Sequence, residues 1–125
     1  MYQVQELADR YVAAWNETDA KRRRQAIEGL WVSDGEHHVN TRHVVGYDGL
    51  EERIRTSHEK NVTNSNNVFR AVQDARRLHD VVTFHWQMLP ADRDEVLATG
   101  LQFLIIGDDG RIVTDYQFVQ SGGGK

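Results

Sequence analysis

The chain has 125 residues, no cysteine and a formal net charge of −4. That length fits one domain with a core large enough to need no staples. The missing cysteines exclude disulfides and thiolate chemistry, and the acidic balance argues against a nucleic-acid surface, which carries a basic field.

Val4, Leu7, Ala8, Tyr11, Val12 and Trp15 recur at i, i+3, i+4 spacing and predict a first amphipathic helix. Asn16 to Asp19 interrupts it, and Thr18 or Asp19 can cap a second helix that runs to about Trp31 and buries Ala26, Ile27, Leu30 and Trp31. The run Lys21-Arg22-Arg23-Arg24 on that helix reads as a solvated face rather than a phosphate patch. Ser33-Asp34-Gly35 is a turn signal. Residues 36–40 then read as a short strand and residues 43–45 as a second. Gly46 closes this stretch, Asp48 lies where an acid favours a helix N-terminus, and Leu50 and Ile54 mark the buried side of a third helix ending near Lys60. A polar connector over 61–67 leads to strands over 68–75, 81–89, 96–106 and 112–119, with the clearest break at Pro90-Ala91-Asp92-Arg93-Asp94. One domain over 1–120 and a flexible tail over 121–125 are expected. Helices first and antiparallel strands later predict an α+β domain with helices covering one sheet face. No apolar run is long enough for a bilayer and no basic-then-apolar leader opens the chain, so a cytoplasmic location and no membrane partner are expected.

Gly107-Asp108-Asp109-Gly110 joins the last two strands. Pairing Ile106 with Arg111 sets Gln102 opposite Asp115, flanked by Leu104, Val113, Gly100 and Val119. An acid and an amide on a largely apolar face suit a ligand pocket. In the strand over 81–89, Val82, Phe84, Trp86 and Met88 share a face; pairing Leu89 with Glu95 brings Trp86 near Ala98 and Phe84 near Gly100, on the Gln102 side. The opposite face carries Leu101, Phe103, Ile105, Ile112, Tyr116 and Phe118, with His85. It is too apolar for water, and a symmetric homodimer through it is expected.

Three stretches, Arg10-Tyr11-Val12-Ala13-Ala14-Trp15-Asn16, Leu30-Trp31-Val32-Ser33-Asp34 leading to Gly46, and Gly110-Arg111-Ile112-Val113, resemble the SnoaL-like branch of the NTF2-like superfamily, which includes ketosteroid isomerases and polyketide cyclases. The resemblance covers almost the whole chain. It implies a cone: three N-terminal helices packed on a strongly bent, mainly antiparallel sheet that encloses a pocket, with dimerisation through the convex face in many members. It also implies that Tyr11 matches a tyrosine with which the isomerases donate to the substrate oxygen, and that Trp31 replaces a supporting tyrosine. Val39 falls where those enzymes keep their aspartate base, and Gln102 where they keep a second oxygen-binding acid. Val39 cannot abstract a proton, so the isomerase mechanism does not carry over. Asp115 instead fits a last-strand position where polyketide cyclase-like members place an acid–base group.

The catalytic candidates are therefore Asp115, Tyr11 and His37. Burial beside apolar groups raises a carboxyl toward neutrality, although a one-residue slip would expose Asp115. Tyr11 shares a helix face with Trp15, and His37 shares a strand face with Val39. The ligand-binding candidates are Gln102, Trp15, Trp31, Val39, Phe84, Trp86, Leu104, Val113 and Val119. His37 and His38 point to opposite faces and cannot share a metal, and the six histidines show no ligand spacing, so neither metal nor cofactor is expected. The expected function is a small-molecule pocket, used by a cofactor-independent isomerase, cyclase or hydratase on a small apolar or carbonyl substrate. The alternatives are a non-catalytic binding module and a dimeric interaction scaffold.

Overall fold

The computed structural model describes residues 3–121. α1 (Val4–Asn16) buries Leu7, Ala8, Tyr11, Val12, Ala14 and Trp15, the stripe that the spacing predicts. Asp19 caps α2 (Ala20–Leu30): its carboxylate accepts the Arg22 N–H at 3.0 Å. The basic run of α2 is less solvated than expected. Arg23 is buried because its Nε donates to the Glu17 carbonyl at 3.0 Å, satisfying the end of α1.

Trp31 leaves the helix and opens β1 (Trp31–Val39), fully buried. Ser33-Asp34-Gly35 does not turn the chain. It lies inside β1, where the pairing register shifts between Trp31 and Glu36. Gly35 permits this irregularity, since a Cβ there would stand 2.8 Å from Trp31 Cδ1. β2 (Arg42–Val45) folds back antiparallel on β1. α3 (Gly46–Ser57) follows, with Gly46 at φ 84. A π-helical extension, His58–Thr63, carries the helix past Lys60 and shortens the expected polar connector.

The remaining strands are β3 (Asn67–Ala71), β4 (Arg76–Leu78), β5 (Val81–Pro90), β6 (Ala98–Ile106) and β7 (Ile112–Ser121). The strand expected over 68–75 thus ends at Ala71, and β4 is an additional short strand on β5. The sheet order is β2-β1-β7-β6-β5-β3, open at both edges. Only β1 and β7 run parallel, so the sheet is mixed and the domain α+β. Shifts in the β1–β7 and β6–β7 ladders add bends to it. The three helices bury one sheet face in a single core cluster. The expected tail lies outside the described residues except for Ser121, which ends β7.

Two registers differ from the sequence expectation by two residues. Asp115 lies opposite Leu104, and Gln102 opposite Gln117. Trp86 lies opposite Gly100, and Phe84 opposite Gln102. A slip of two keeps every side chain on its face, so Gln102, Asp115, Phe84 and Trp86 still point inward. The Trp86 pairing has a steric cause: the indole occupies the space where a Cβ on residue 100 would sit, so only glycine fits beneath it. The ladder also skips Val113 between Ile105↔Thr114 and Ile106↔Ile112. This bulge exchanges two faces. Ile112 is buried rather than on the outer face, and Val113 is 38% exposed rather than in the pocket.

Candidate functional site

Four elements converge on one buried polar cluster. β1 runs beside β7 with His37 paired to Asp115; α1 crosses above with Tyr11; β6 supplies Gln102. Asp115 Oδ2 accepts the Tyr11 hydroxyl at 2.6 Å and lies 2.8 Å from His37 Nδ1. Its Oδ1 accepts Gln102 Nε2 at 2.6 Å. Gln102 Nε2 also donates to Tyr11 Oη at 2.9 Å, and its Oε1 accepts Trp86 Nε1 at 2.8 Å. Trp86 therefore fixes which way the amide points, and the amide fixes the carboxylate. The Asp115 carboxyl faces three potential donors and has no exposure, the condition under which a buried charge is tolerated. With Nδ1 donating to that carboxylate, His37 Nε2 is left buried without a partner. Burial, reinforced by the Asp115 charge and hydrogen bond, pushes the Tyr11 hydroxyl well above the usual tyrosine value, so it stays protonated at neutral pH.

A cavity of about 530 Å³ opens beside this cluster. Tyr11 and Gln102 line it, whereas His37 and Asp115 lie behind them, fully buried. Among the expected ligand-binding residues, Trp15, Val39, Trp86 and Val119 also line the cavity. Trp31, Phe84 and Leu104 are buried core residues that do not reach it, and Val113 faces outward. Phe69 adds an aromatic wall edge-on to Trp86, held by two hydrogen bonds between its backbone and the Asn16 side chain.

Sequence reasoning missed the cationic side of the cavity. Arg42, Arg53 and Lys60 all line it. For Arg53 a signal existed: Leu50, Arg53, Ile54 and Ser57 follow the i, i+3, i+4, i+7 rhythm, and a charge inside a buried stripe needs a reason. The guanidinium lies 5.0 Å from the centroid of the Trp15 ring.

His37 and His38 do point to opposite faces. His38 is outside, stacked between His43 and Tyr116 at 4.3 and 4.9 Å. The cross-strand register brings Glu36, His38 and His43 together, with potential ligand atoms within 4.8 Å of one another. This grouping is absent from sequence spacing because it depends on the β1–β2 pairing. Glu36 Oε1 lies 2.8 Å from His43 Nε2, and this contact holds the carboxyl below its usual range.

No family model matches the sequence, and no curated protein matches it. Solved structures do match nearly the whole chain. An inferred isomerase of the SnoaL-like family from Agrobacterium tumefaciens superposes with a TM-score of 0.86 at 24% identity, covering 97% of this chain and 100% of that one. An NTF2-like protein of unknown function from Exiguobacterium sp. 255-15 gives 0.70 at 19%, covering 91% and 98%. An inferred polyketide cyclase from Sinorhizobium meliloti gives 0.69 at 12%, covering 93% and 99%. The chain has the fold of these SnoaL-like and NTF2-like proteins.

Proposed function

We propose that the protein binds a small, mainly apolar molecule in the cavity and moves a proton on it without a cofactor, as an isomerase, cyclase or hydratase does. One observation carries this reading: Tyr11 lines the cavity, and its hydroxyl is hydrogen-bonded to a fully buried carboxylate. Tyr11 Oη already accepts from Gln102 and donates to Asp115, which leaves one lone pair for a substrate. In the proposed step a substrate proton passes to Tyr11 Oη while the tyrosine's own proton passes to Asp115 Oδ2. The negative charge moves from Asp115 to the substrate, and reversal of the relay returns the proton at another atom. Tyr11 is the catalytic residue that touches substrate. Asp115 holds the proton, and His37 and Gln102 position it. Val39 sits on the cavity wall and supplies no base, so the relay through Tyr11 takes that role.

The relay is tested by α-proton exchange of bicyclic ketones in D2O, followed by NMR. The protein should accelerate exchange over buffer, and Tyr11→Phe and Asp115→Asn should each lower the rate about 100-fold. Undiminished exchange in both variants contradicts the relay. The saturation of Asp115 by three donors favours a second reading, a binding module without turnover. Under that reading the same ketones bind and none exchanges.

The outer sheet face supports a homodimer as part of this proposal. Phe118 is 53% exposed there, and Leu101, Phe103, Ile105 and Tyr116 are only half-buried. Among the described residues no helix is long and apolar enough to cross a membrane.

A further inference from the structure

Arg53 is the one half-buried cation of the cavity, and the proton relay does not use it. It stands on the inward stripe of α3, its Nε buried with no hydrogen-bond partner. Burial, together with the like charge of Arg42, destabilises its ionised form. Arg42 and Lys60 line the same cavity, and among the described residues none of the three enters an ion pair with a protein carboxylate. Several arginines elsewhere do pair with carboxylates: Arg24 meets Glu28, Asp48 and Glu51, Arg70 meets Asp94, and Arg111 meets Asp109. No Asp or Glu is among the residues lining the cavity. A chain of net charge −4 thus presents a positive wall inside its pocket, offset in part by the Asp115 carboxyl behind the wall, which makes no ion pair with Arg53. Keeping a guanidinium half-buried and unpaired costs stability unless something else pairs with it.

We infer that the pocket takes a small organic carboxylate, its carboxylate paired with Arg53 and its apolar body lying between Trp15 and Trp86 toward Tyr11. The inference rests on the reading of the cavity as a small-molecule site. A guanidinium fork matches a planar carboxylate with two parallel N–H···O bonds, and the aromatic walls supply apolar contact. One half-buried guanidinium matches one negative charge. Arg42 and Lys60 are exposed at the rim, where they attract an anion on approach but contribute less once it is bound.

Calorimetric titration with naphthalene-2-carboxylate, the isosteric neutral 2-naphthamide, and 2-naphthyl phosphate tests this. The carboxylate should bind the parent protein at least about tenfold more tightly than the amide. Arg53→Gln should erase that preference. Arg53→Lys, which keeps the charge and loses the fork, should retain an intermediate preference and guards against misfolding of the first variant. Equal binding of carboxylate and amide overturns the inference and leaves the pocket reading standing. Binding of neither overturns both. Tighter binding of the phosphate overturns the carboxylate assignment, and a preference that survives Arg53→Gln overturns the assignment to Arg53.

Discussion

Asp115 has no water to fall back on; its three donors belong to Tyr11, His37 and Gln102. An amide in its place offers one acceptor oxygen and turns an NH2 toward other donors. Asp115→Asn should therefore destabilise the fold by about 2–4 kcal/mol in urea unfolding. A second expectation concerns pH. The folded Tyr11 hydroxyl is raised above its unfolded value of 10.0, so the folded state holds this proton more tightly. The stabilisation is fully present below the unfolded value and is lost as pH rises toward the folded one. The parent should thus lose unfolding free energy more steeply than Tyr11→Phe between about pH 9 and pH 11; parallel slopes would contradict the assigned burial. At this scale the inward set was legible: Gln102, Asp115 and Tyr11 followed from periodicity and face parity, and His37 from the face it shares with Val39, which the family resemblance implied to be inside. Of their mutual contacts only the Gln102–Asp115 pair was expected, two residues off in register; those of Tyr11 and His37 with Asp115 join residues far apart in the chain. Arg53 escaped notice because a helix pattern is read by its apolar members.

At the level of elements, two devices set the site: the Trp86–Gly100 pairing and the bulge at Val113. The first locks the indole N–H onto Gln102. Gly100→Ala should push Trp86 off its seat, cost about 1–3 kcal/mol and shift the tryptophan emission; an unchanged stability and spectrum would refute this packing. The limits of α1 and α2 and the existence of every strand but β4 were read from sequence because caps, stripes and alternation are local. Registers were not, since both turns were assumed to close on the nearest residues. The even slips left the faces intact, whereas the bulge reversed Ile112 and Val113. Ser33-Asp34-Gly35 misled for a related reason: turn residues also serve strand irregularities, and only the β1–β7 ladder distinguishes the two.

Over the whole molecule the sheet separates two surfaces, a pocket face covered by helices and an outer face with exposed aromatic and aliphatic groups. If a second copy covers the outer face, Phe103→Arg should convert a dimer to a monomer in sedimentation, and an unchanged dimer would exclude this interface. The α+β class was legible because helices preceded strands, the bent sheet around a pocket was implied by the family resemblance, and the pocket side was already marked by polar residues on apolar faces. The open cationic rim was not, as it depends on where β2 and the end of α3 meet the cavity. The most direct measurement of the central claim is a crystal structure of the protein with 2-tetralone bound. The account predicts the ketone in the cavity against Trp15 and Trp86, with an α-carbon about 3–3.5 Å from Tyr11 Oη. A ketone bound elsewhere, or with both α-carbons turned away from Tyr11, would contradict it.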